Sequence, residues 1–146
     1  PTADVCVIPS RTQHASGAGI LIAEIQQNSN VTYRVYDYGR LGADGKPRAL
    51  HIDQALAVTR CTPPQPQDFG SHLGQCKYFT VDLHKGEFAE TADERSFVSL
   101  LFVDGEGTLA CGGETMPVKK GDSIFIPAGS GAVTVTGGLT TLVTRV

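Results

Sequence analysis

Apolar and polar residues alternate over residues 31–38 with the two-residue period of a β-strand. Over residues 31–38, Val31, Tyr33 and Val35 fall on one face, and polar or charged residues such as Arg34 fall on the other. Alternation of this kind is typical of a strand with one face buried and one face in water. The pattern therefore predicts a half-buried strand over residues 31–38.

Two further strands are predicted before it. Residues 4–9 form a short apolar run that ends at a proline, and residues 20–27 are mostly apolar, with Glu24 as the charged exception. Only residues 53–59 predict a helix, and Asp53 is its predicted capping residue. The first part of the chain is therefore predicted to be rich in β-structure.

The second part of the chain is divided by glycine-rich turns, which separate short runs rich in valine, isoleucine and threonine. These runs predict strands over residues 76–83, 97–103, 107–111, 115–118, 123–126, 132–136 and 139–145. Many short strands with regular turn signals are typical of a jelly-roll sandwich or barrel. The predicted fold class is therefore all-β.

A proline-rich stretch separates these two parts. Residues 61–70 hold three prolines, and prolines at this density favour a semi-rigid linker. The predicted organisation is the later half of one barrel over residues 1–60, a linker over 61–70, and a whole small barrel over 71–146. Because the chain begins inside the first predicted strand, we expect a truncated barrel whose unpaired strands could pair with a second copy.

One phrase occurs twice, at a constant offset of 118 positions. Asp4 and Asp122 begin the two copies, and each copy carries an Ile-Pro pair at its centre. Internal repeats fix the architecture of a chain, so the two copies predict two related barrels. The copies differ at their last position, where the first has His14 and the second has Ala132.

Composition narrows the classes of function. The chain has 146 residues, of which 40% are hydrophobic and 18% charged, as in an ordinary globular protein. Its net charge of −3 gives no positive field to attract nucleic acid or an anionic membrane. No apolar run approaches the length of a membrane span. We therefore predict neither a nucleic-acid partner nor a membrane partner.

The four cysteines carry no metal-site spacing, because none forms a CxxC pair. Two of them, Cys6 and Cys111, lie inside strand-like runs. We predict that all four, including Cys61 and Cys76, are buried, reduced thiols of a cytoplasmic protein.

His14 is the first candidate for chemistry, because it follows a proline turn at the end of a strand, where a side chain can point into the mouth of a barrel. A neutral imidazole is a common metal ligand. A lone histidine is more often structural, however, and a catalytic zinc site usually has three protein ligands. The other ligands would have to lie elsewhere.

Glu24 and Arg34 are the other two candidates. A carboxylate in an apolar strand is either a hydrogen-bonded structural group or, if buried, an acid or base with a raised pKa. Arg34 is either an exposed strand charge or a contact for an anion or oxyanion. Since the two residues lie on successive predicted strands, they could meet across a hairpin.

The remaining histidines show no ligand spacing. We interpret His51 as structural at the start of the helix, and His72 and His84 as surface residues. The carboxylates in the second part are predicted to face solvent: Glu87, Glu90 and Glu94.

Three stretches resemble a known family. The Asp-Pro-His spacing of Asp4, Pro9 and His14 is similar to the second cupin motif, and residues 121–127 carry a form of that motif without the histidine. Residues 23–40 (AEIQQNSNVTYRVYDYGR) strongly resemble a signature of bacterial, zinc-dependent, cupin-type mannose-6-phosphate isomerases. The phrases RALHI at 48–52 and VKKGD at 118–122 are also similar to that family. The resemblance covers nearly the entire chain but only the C-terminal half of a family member.

The resemblance implies an all-β, cupin-like jelly-roll fold and roles for three residues. His14 would be the last zinc ligand, with the remaining ligands upstream of Pro1. Glu24 would be an acid or base near the metal, and Arg34 the catalytic arginine. The family often carries glycine at the position of Arg11, and its C-terminal barrel is a degenerate cupin without metal.

The implied reaction is the interconversion of mannose 6-phosphate and fructose 6-phosphate through a cis-enediol, with a sugar phosphate as the partner. We expect the 146-residue segment alone to be inactive. A non-catalytic cupin module that binds a sugar or a regulatory partner is the alternative. A cupin oxygenase is disfavoured, because the chain has no HxH motif.

Overall fold

The computed structural model describes every residue from 5 to 146 except 64 and 66. The chain divides into two compact units, one comprising Cys6–Pro66 and the other built on Gln67–Val146. The division falls inside the predicted linker over residues 61–70. The predicted domain boundaries themselves stay a prediction.

The second unit is a pair of antiparallel β-sheets. Its strands are β1 (Gly74–Gln75), β2 (Thr80–Lys85), β3 (Phe88–Ala92), β4 (Val98–Asp104), β5 (Glu106–Cys111), β6 (Glu114–Lys119), β7 (Ser123–Ile126), β8 (Gly131–Gly137) and β9 (Thr140–Arg145). One sheet has the strand order β1-β2-β9-β4-β7, and the other has the order β3-β8-β5-β6. The all-β prediction is therefore confirmed.

The core of this unit lies between the inner faces of the two sheets. Alternate residues of β4 are fully buried: Val98, Leu100 and Phe102. Leu100 lies opposite Val143 of β9 on one side, and Val98 lies opposite Ile126 of β7 on the other. This alternation is the two-residue period on which the sequence prediction rested.

Gly107 marks a point where the backbones of neighbouring strands come too close for a side chain. A Cβ at this position would lie 2.1 Å from the carbonyl oxygen of Thr136 and 2.7 Å from Leu139. Glycine in a strand interior often marks such a close approach. The contact brings β5 and β8 together above Leu139, which is itself fully buried.

The four-stranded sheet ends at β6, an edge strand that contains Pro117. Proline has no backbone N–H to donate, so within sheets it is largely confined to edges. Exposed Glu114 and Lys119 stand at the two ends of the same strand. This edge therefore carries a proline between two charges.

All seven strands predicted for the second unit overlap observed strands, but β1 and β3 were missed. The charged residues Glu87 and Glu90 flank Phe88 and obscure its apolar alternation. Phe88, Glu90 and Ala92 alternate onto the inner face, because Phe88 lies opposite core residue Val135. The prediction that Glu90 faces solvent is therefore wrong, whereas Glu87 and Glu94 are exposed as predicted.

The strands predicted for the first unit are not formed. Between residues 5 and 60 the structure has no strand, and its only β-pairing is an isolated bridge between Leu41 and Pro47. A strand needs a neighbour to pair with its backbone N–H and C=O groups, and sequence alternation alone does not supply one. Apolar side chains consequently remain in solvent, as in Leu21, which is 83% exposed.

The predicted helix is present as α1, over Ile52–Val58, with Ala55 as its buried residue. The predicted cap is wrong: His51 occupies the cap position, with no side-chain hydrogen bond, and Asp53 lies in the first turn. The helix ends where both the backbone N–H and the hydroxyl of Thr59 donate to the carbonyl oxygen of Ala55.

All four cysteines are free thiols. Cys111 is half-buried in β5, whereas Cys6, Cys61 and Cys76 are exposed, so the prediction that they are buried is wrong. Cys6 is exposed because the strand expected to bury it does not form. In the part of the chain that the structure describes, no helix is long and apolar enough to cross a membrane.

Candidate functional site

The first candidate site begins at the turn over residues 9–12, in the first unit. The backbone N–H of Thr12 donates to the carbonyl oxygen of Pro9 over 3.2 Å. Arg11 has a φ of 74°, which is the left-handed region that favours glycine. Its Nε donates to the carbonyl oxygen of Val58 over 2.6 Å, and its own carbonyl accepts from Arg60. These bonds hold a non-glycine residue in a strained conformation.

His14 stands two residues beyond this turn, and its side chain is exposed. Its Nδ1 lies 3.1 Å from the carbonyl oxygen of Thr12. A carbonyl only accepts, so this contact favours the tautomer that carries the proton on Nδ1. That tautomer leaves the Nε2 lone pair free, which is the arrangement that a metal-ligating histidine needs.

Arg34 is held in place by the segment that precedes α1. Its Nη1 donates to the carbonyl oxygen of Ala49 over 3.1 Å, and its Nε lies 3.5 Å from Asp37. The backbone N–H of Arg34 donates to Nδ1 of His51 over 3.2 Å, and the N–H of His51 donates to the carbonyl of Arg34 over 2.7 Å. The side chain of Arg34 is only 22% exposed, so the prediction of an exposed strand charge is wrong.

The carboxylate of Asp37 accepts hydrogen bonds from a neighbouring arginine and lies close to others. Nε of Arg48 donates to its Oδ2 over 2.7 Å, and Nη2 of Arg48 bonds its Oδ1. The hydrogen bonds from Arg48, aided by the charges of Arg48, Arg34 and Arg40, hold the pKa of Asp37 below its usual value. Arg48 is the main partner of this carboxylate. The charge of the Arg34 guanidinium is therefore only partly balanced by Asp37, and Arg34 can attract another anion.

Glu24 lies outside this arrangement. Its side chain is exposed, so the burial that would have made it a tuned acid or base is missing from this structure. No contact recorded among the described residues joins His14, Glu24 and Arg34. The hairpin across which Glu24 and Arg34 could meet is not present, because neither of its two strands is formed among the described residues.

The described residues also fail to complete a metal site. Between residues 5 and 146, omitting 64 and 66, no three His, Cys, Asp or Glu side chains are grouped so that they could hold a metal ion. Catalytic zinc usually takes three protein ligands. His14 therefore has the donor chemistry of one zinc ligand, but this part of the chain does not bind zinc with its own residues alone.

A second group of charged and polar side chains lies in the second unit, where the sequence predicted no functional site. We call it the β2–β3 corner, and it comprises His84, Glu90, Thr141 and Arg145. His84 stacks on the ring of Phe88 with centroids 4.5 Å apart, and its Nε2 lies 3.7 Å from Oε1 of Glu90. The other oxygen of Glu90 is ion-paired with Nη2 of Arg145.

The corner residues share the inner face of the barrel. His84 lies opposite Thr141, and Asp82, two residues earlier on β2, lies opposite core residue Val143. Nδ1 of His72 lies 2.6 Å from Oδ1 of Asp82. The predictions that His72 and His84 are surface residues are wrong, because both are half-buried and paired with carboxylates. The alternation of β2 was the signal that could have placed His84.

Comparison with known proteins extends these observations. Residues 71–146 match the family described as "Mannose-6-phosphate isomerase, cupin domain". Mannose-6-phosphate isomerase ManA of Bacillus subtilis is 36% identical over 92% of this chain, which covers 46% of that protein. The putative mannose-6-phosphate isomerase YvyI of the same organism is 39% identical over 98% of this chain and 49% of its own length.

Solved structures give the same result. The crystal structure of the mannose 6-phosphate isomerase from Bacillus subtilis matches 82% of this chain and 42% of that chain, with a TM-score of 0.68 and 32% identity. A match over 82% of the chain reaches beyond residues 71–146 into the first unit. The chain spans about half the length of the curated relatives it matches.

These matches confirm the cupin fold and the resemblance found in residues 23–40. The family match alone covers residues 71–146, which is more than half of the chain. The chain therefore belongs to the mannose-6-phosphate isomerase cupin-domain family.

Proposed function

We propose that this chain is the C-terminal part of a zinc-dependent mannose-6-phosphate isomerase, an aldose–ketose isomerase of the cytoplasm that acts on a sugar phosphate. One observation carries the proposal: relatives named mannose-6-phosphate isomerase align with 92% and 98% of the chain, and the aligned region is about half of their length. The signature at residues 23–40 and the partners of Arg34 support it.

In this proposal Arg34 stabilises the negative charge that develops on the substrate oxygens. Its guanidinium is fixed by Ala49 and Asp37, while its backbone is fixed by His51. A cation already held in place needs little reorganisation when charge develops, so its stabilisation is concentrated on the transition state. Its planar shape also suits two neighbouring oxygens, such as those of an enediolate.

Glu24 is the proposed acid or base. The C2–H bond of the aldose breaks, its proton passes to the carboxylate, and the bonding electrons form the enediolate. Return of the proton to C1, together with transfer of the hydroxyl proton from O2 to O1, then gives the ketose. Glu24 is exposed in this chain, and in this proposal substrate or further polypeptide covers it in the complete site.

His14 would be one of the ligands that hold zinc, through its Nε2 atom, with the other ligands outside the described residues. When bound, zinc would supply Lewis-acid polarisation of the sugar oxygens. Because the described residues hold only part of a ligand set, we expect the chain alone to be zinc-free and inactive.

The test joins this chain to the part of Bacillus subtilis ManA that it does not match. Zinc content and coupled mannose-6-phosphate isomerase activity are measured for the chain alone and for the joined protein. We expect zinc and activity only in the joined protein, and His14→Ala should remove both.

Arg34→Lys separates catalysis from metal binding. It should keep the zinc but lower kcat by about 10²–10³-fold, as loss of a positioned charge-stabilising donor typically does. Arg40→Lys, at an exposed arginine of the same unit, is the matched control and should change little. A folded joined protein without activity, or equal effects of the two variants, would contradict the proposal.

The alternative function is a non-catalytic cupin module that binds a sugar or a regulatory partner. It is favoured by the lack of a three-ligand group within the described residues and by the exposure of Glu24. The two functions are distinguished by the same joined protein: a non-catalytic module would fold without zinc-dependent turnover.

We further propose that the first unit can associate with a second copy through residues 20–38. Leu21 is 83% exposed and Ile20 61% exposed, and this segment has unused backbone hydrogen-bonding capacity because it forms no strand. Light scattering of the purified chain should show concentration-dependent dimers. A Leu21→Asp variant should shift the equilibrium to monomer, whereas Val146→Asp, at the exposed C-terminus, should not.

A further inference from the structure

A shallow cleft of ≈ 400 Å³ opens in the second unit beside Glu90 and Arg145. Its volume lies within the range of ligand sites in proteins, which is about 300–1,000 Å³. The exposed hydroxyls of Thr91 and Thr134 stand on its walls, and Ala132 and Val133 line the rest. The cleft is therefore lined by both donors and acceptors of hydrogen bonds.

The charged groups in this cleft cancel one another. Glu90 is ion-paired with Arg145, and Asp93 bonds Nε and Nη2 of Arg95 at 2.9 and 2.6 Å. The cleft therefore presents two carboxylates and two guanidinium groups. A phosphate or other charged ligand gains no net attraction from such a balanced set.

Behind Glu90, the inner face of the β2–β3 corner holds one unsatisfied group. Thr141 is fully buried, and among the described residues no partner bonds its hydroxyl. A buried hydroxyl without a partner costs about 1–3 kcal/mol. Its cross-strand neighbour His84 contacts Glu90 only at 3.7 Å, which is too long for a hydrogen bond.

We propose that this cleft binds a neutral, hydroxyl-rich ligand of the carbohydrate class, with Glu90 accepting from one ligand hydroxyl and Arg145 donating to its neighbour. Adjacent hydroxyls of a sugar act as donor and acceptor side by side, which matches a carboxylate next to a guanidinium. His84, oriented by its stacking on Phe88, positions Glu90 from behind.

This site uses residues of the second unit only, whereas the residues proposed for the isomerase reaction belong to the first unit. It differs in ligand chemistry as well: the proposed substrate carries a phosphate, whereas the cleft lacks net charge. The two proposals can therefore fail independently.

The test is a titration of the ¹⁵N-labelled 146-residue chain, followed by NMR. The probes are D-mannose, sorbitol and inorganic phosphate, each used alone. We expect D-mannose or sorbitol to shift the amides of Glu90, Thr91, Thr134 and Arg145 with a Kd on the order of 1 mM, typical of a weak, solvent-open site. Phosphate should leave those amides unchanged.

Glu90→Gln keeps the shape of the side chain but removes its charge, and it should weaken binding at least about tenfold, the effect of losing one charge-assisted hydrogen bond. Glu87→Gln, at the exposed glutamate of the same corner, is the matched control and should not change binding.

Each result decides the proposal. Localised shifts that disappear in Glu90→Gln and persist in Glu87→Gln support it. No shifts with either neutral probe, shifts outside the cleft, shifts unaffected by Glu90→Gln, or binding of phosphate alone would overturn it. The spectra of the variants report whether each remains folded.

Discussion

The two copies of the repeated phrase, residues 4–14 and 122–132, share a turn but not a strand. In the first copy Thr12 donates to Pro9 over 3.2 Å, and in the second Ser130 donates to Pro127 over 3.3 Å. The residues before these donors are Arg11, with a φ of 74°, and Gly129, with a φ of 79°. The same sequence offset therefore produces the same turn twice.

The segments before the two turns differ. Ser123–Ile126 is strand β7, paired with β4, whereas the described residues of the first copy form no strand. A turn is closed by one local hydrogen bond, but a strand depends on a partner distant in sequence. The comparison teaches that a repeated sequence repeats its local structure without help, and its strands only where a neighbouring strand is present.

The largest expected difference in stability between the two copies is between the variants Ile126→Ala and Ile8→Ala, at equivalent positions of the repeat. Ile126 is 4% exposed and Ile8 is 46% exposed. We expect Ile126→Ala to lower the free energy of unfolding by about 2–5 kcal/mol, because it leaves a cavity in a closed core. Ile8→Ala should change it by less than about 0.5 kcal/mol.

Urea unfolding followed by circular dichroism measures both variants, with Leu21→Ala as a second exposed control. Equal losses at the two isoleucines would show that the first copy is as well packed as the second, against the structure.

A smaller effect is expected from exchanging the turn residues. Gly129→Ala should destabilise by about 1 kcal/mol, because a side chain in the left-handed region is strained. Its added Cβ would also come within 2.9 Å of the Glu94 carboxylate, which can move away.

In the first copy, Arg11→Gly should be more stable than Arg11→Ala by about 1 kcal/mol. Both variants lose the hydrogen bond to Val58, but only alanine keeps the strain of the left-handed conformation.

Gly138→Ala is the control for these turn variants, because Gly138 has an ordinary φ and open space around its Cα. Thermal unfolding should show almost no change for it. If Arg11→Ala proved as stable as Arg11→Gly, the left-handed conformation at residue 11 would not be present in solution.

The smallest expected effect is on the pH dependence of stability, and it comes from the Asp–Arg pair that each unit contains. Hydrogen bonds from Arg48 lower the pKa of Asp37, and hydrogen bonds from Arg95 lower the pKa of Asp93. A carboxyl whose pKa is lowered in the folded state stabilises the fold above its ordinary pKa, near 3.8. That stabilisation is lost as the pH falls through the lower, folded value.

Carbon-detected NMR titration of the aspartates should therefore show Asp37 and Asp93 titrating below the ordinary pKa of an aspartate, near 3.8. Arg48→Gln should return Asp37 toward its ordinary pKa and leave Asp93 unchanged. A midpoint for Asp37 that does not respond to Arg48→Gln would exclude this ion pair as the cause.

The strands of the second unit could be predicted because glycine-rich turns mark their ends and apolar residues alternate within them. Ser123–Ile126 was predicted to the residue. Strand β3 could not be found in this way, because its inner face carries Glu90, whose partners on β2 and β9 are known only from the folded pairing. A charged residue in a strand normally indicates an exposed position, but the charge of Glu90 is paired inside the fold.

The candidate site shows the same limit. The identities of His14 and Arg34 follow from motif resemblance, but the bonds from Arg34 to Ala49 and between Arg34 and His51 join residues that lie 15 and 17 positions apart. A meeting of Glu24 and Arg34 required a hairpin, and a hairpin depends on pairing between strands rather than on alternation. Local sequence signals were therefore reliable for turns and for the helix. They were weak for strand pairing and for hydrogen bonds between residues that are distant in sequence.

Pro117 on edge strand β6 has a consequence for how copies of this chain meet. An uninterrupted sheet edge is a template on which another molecule can add a strand, and this is a common route to fibrils. A proline between two charged residues lacks the donor that such growth requires. At high protein concentration we therefore expect ordered sheet extension to be blocked at β6.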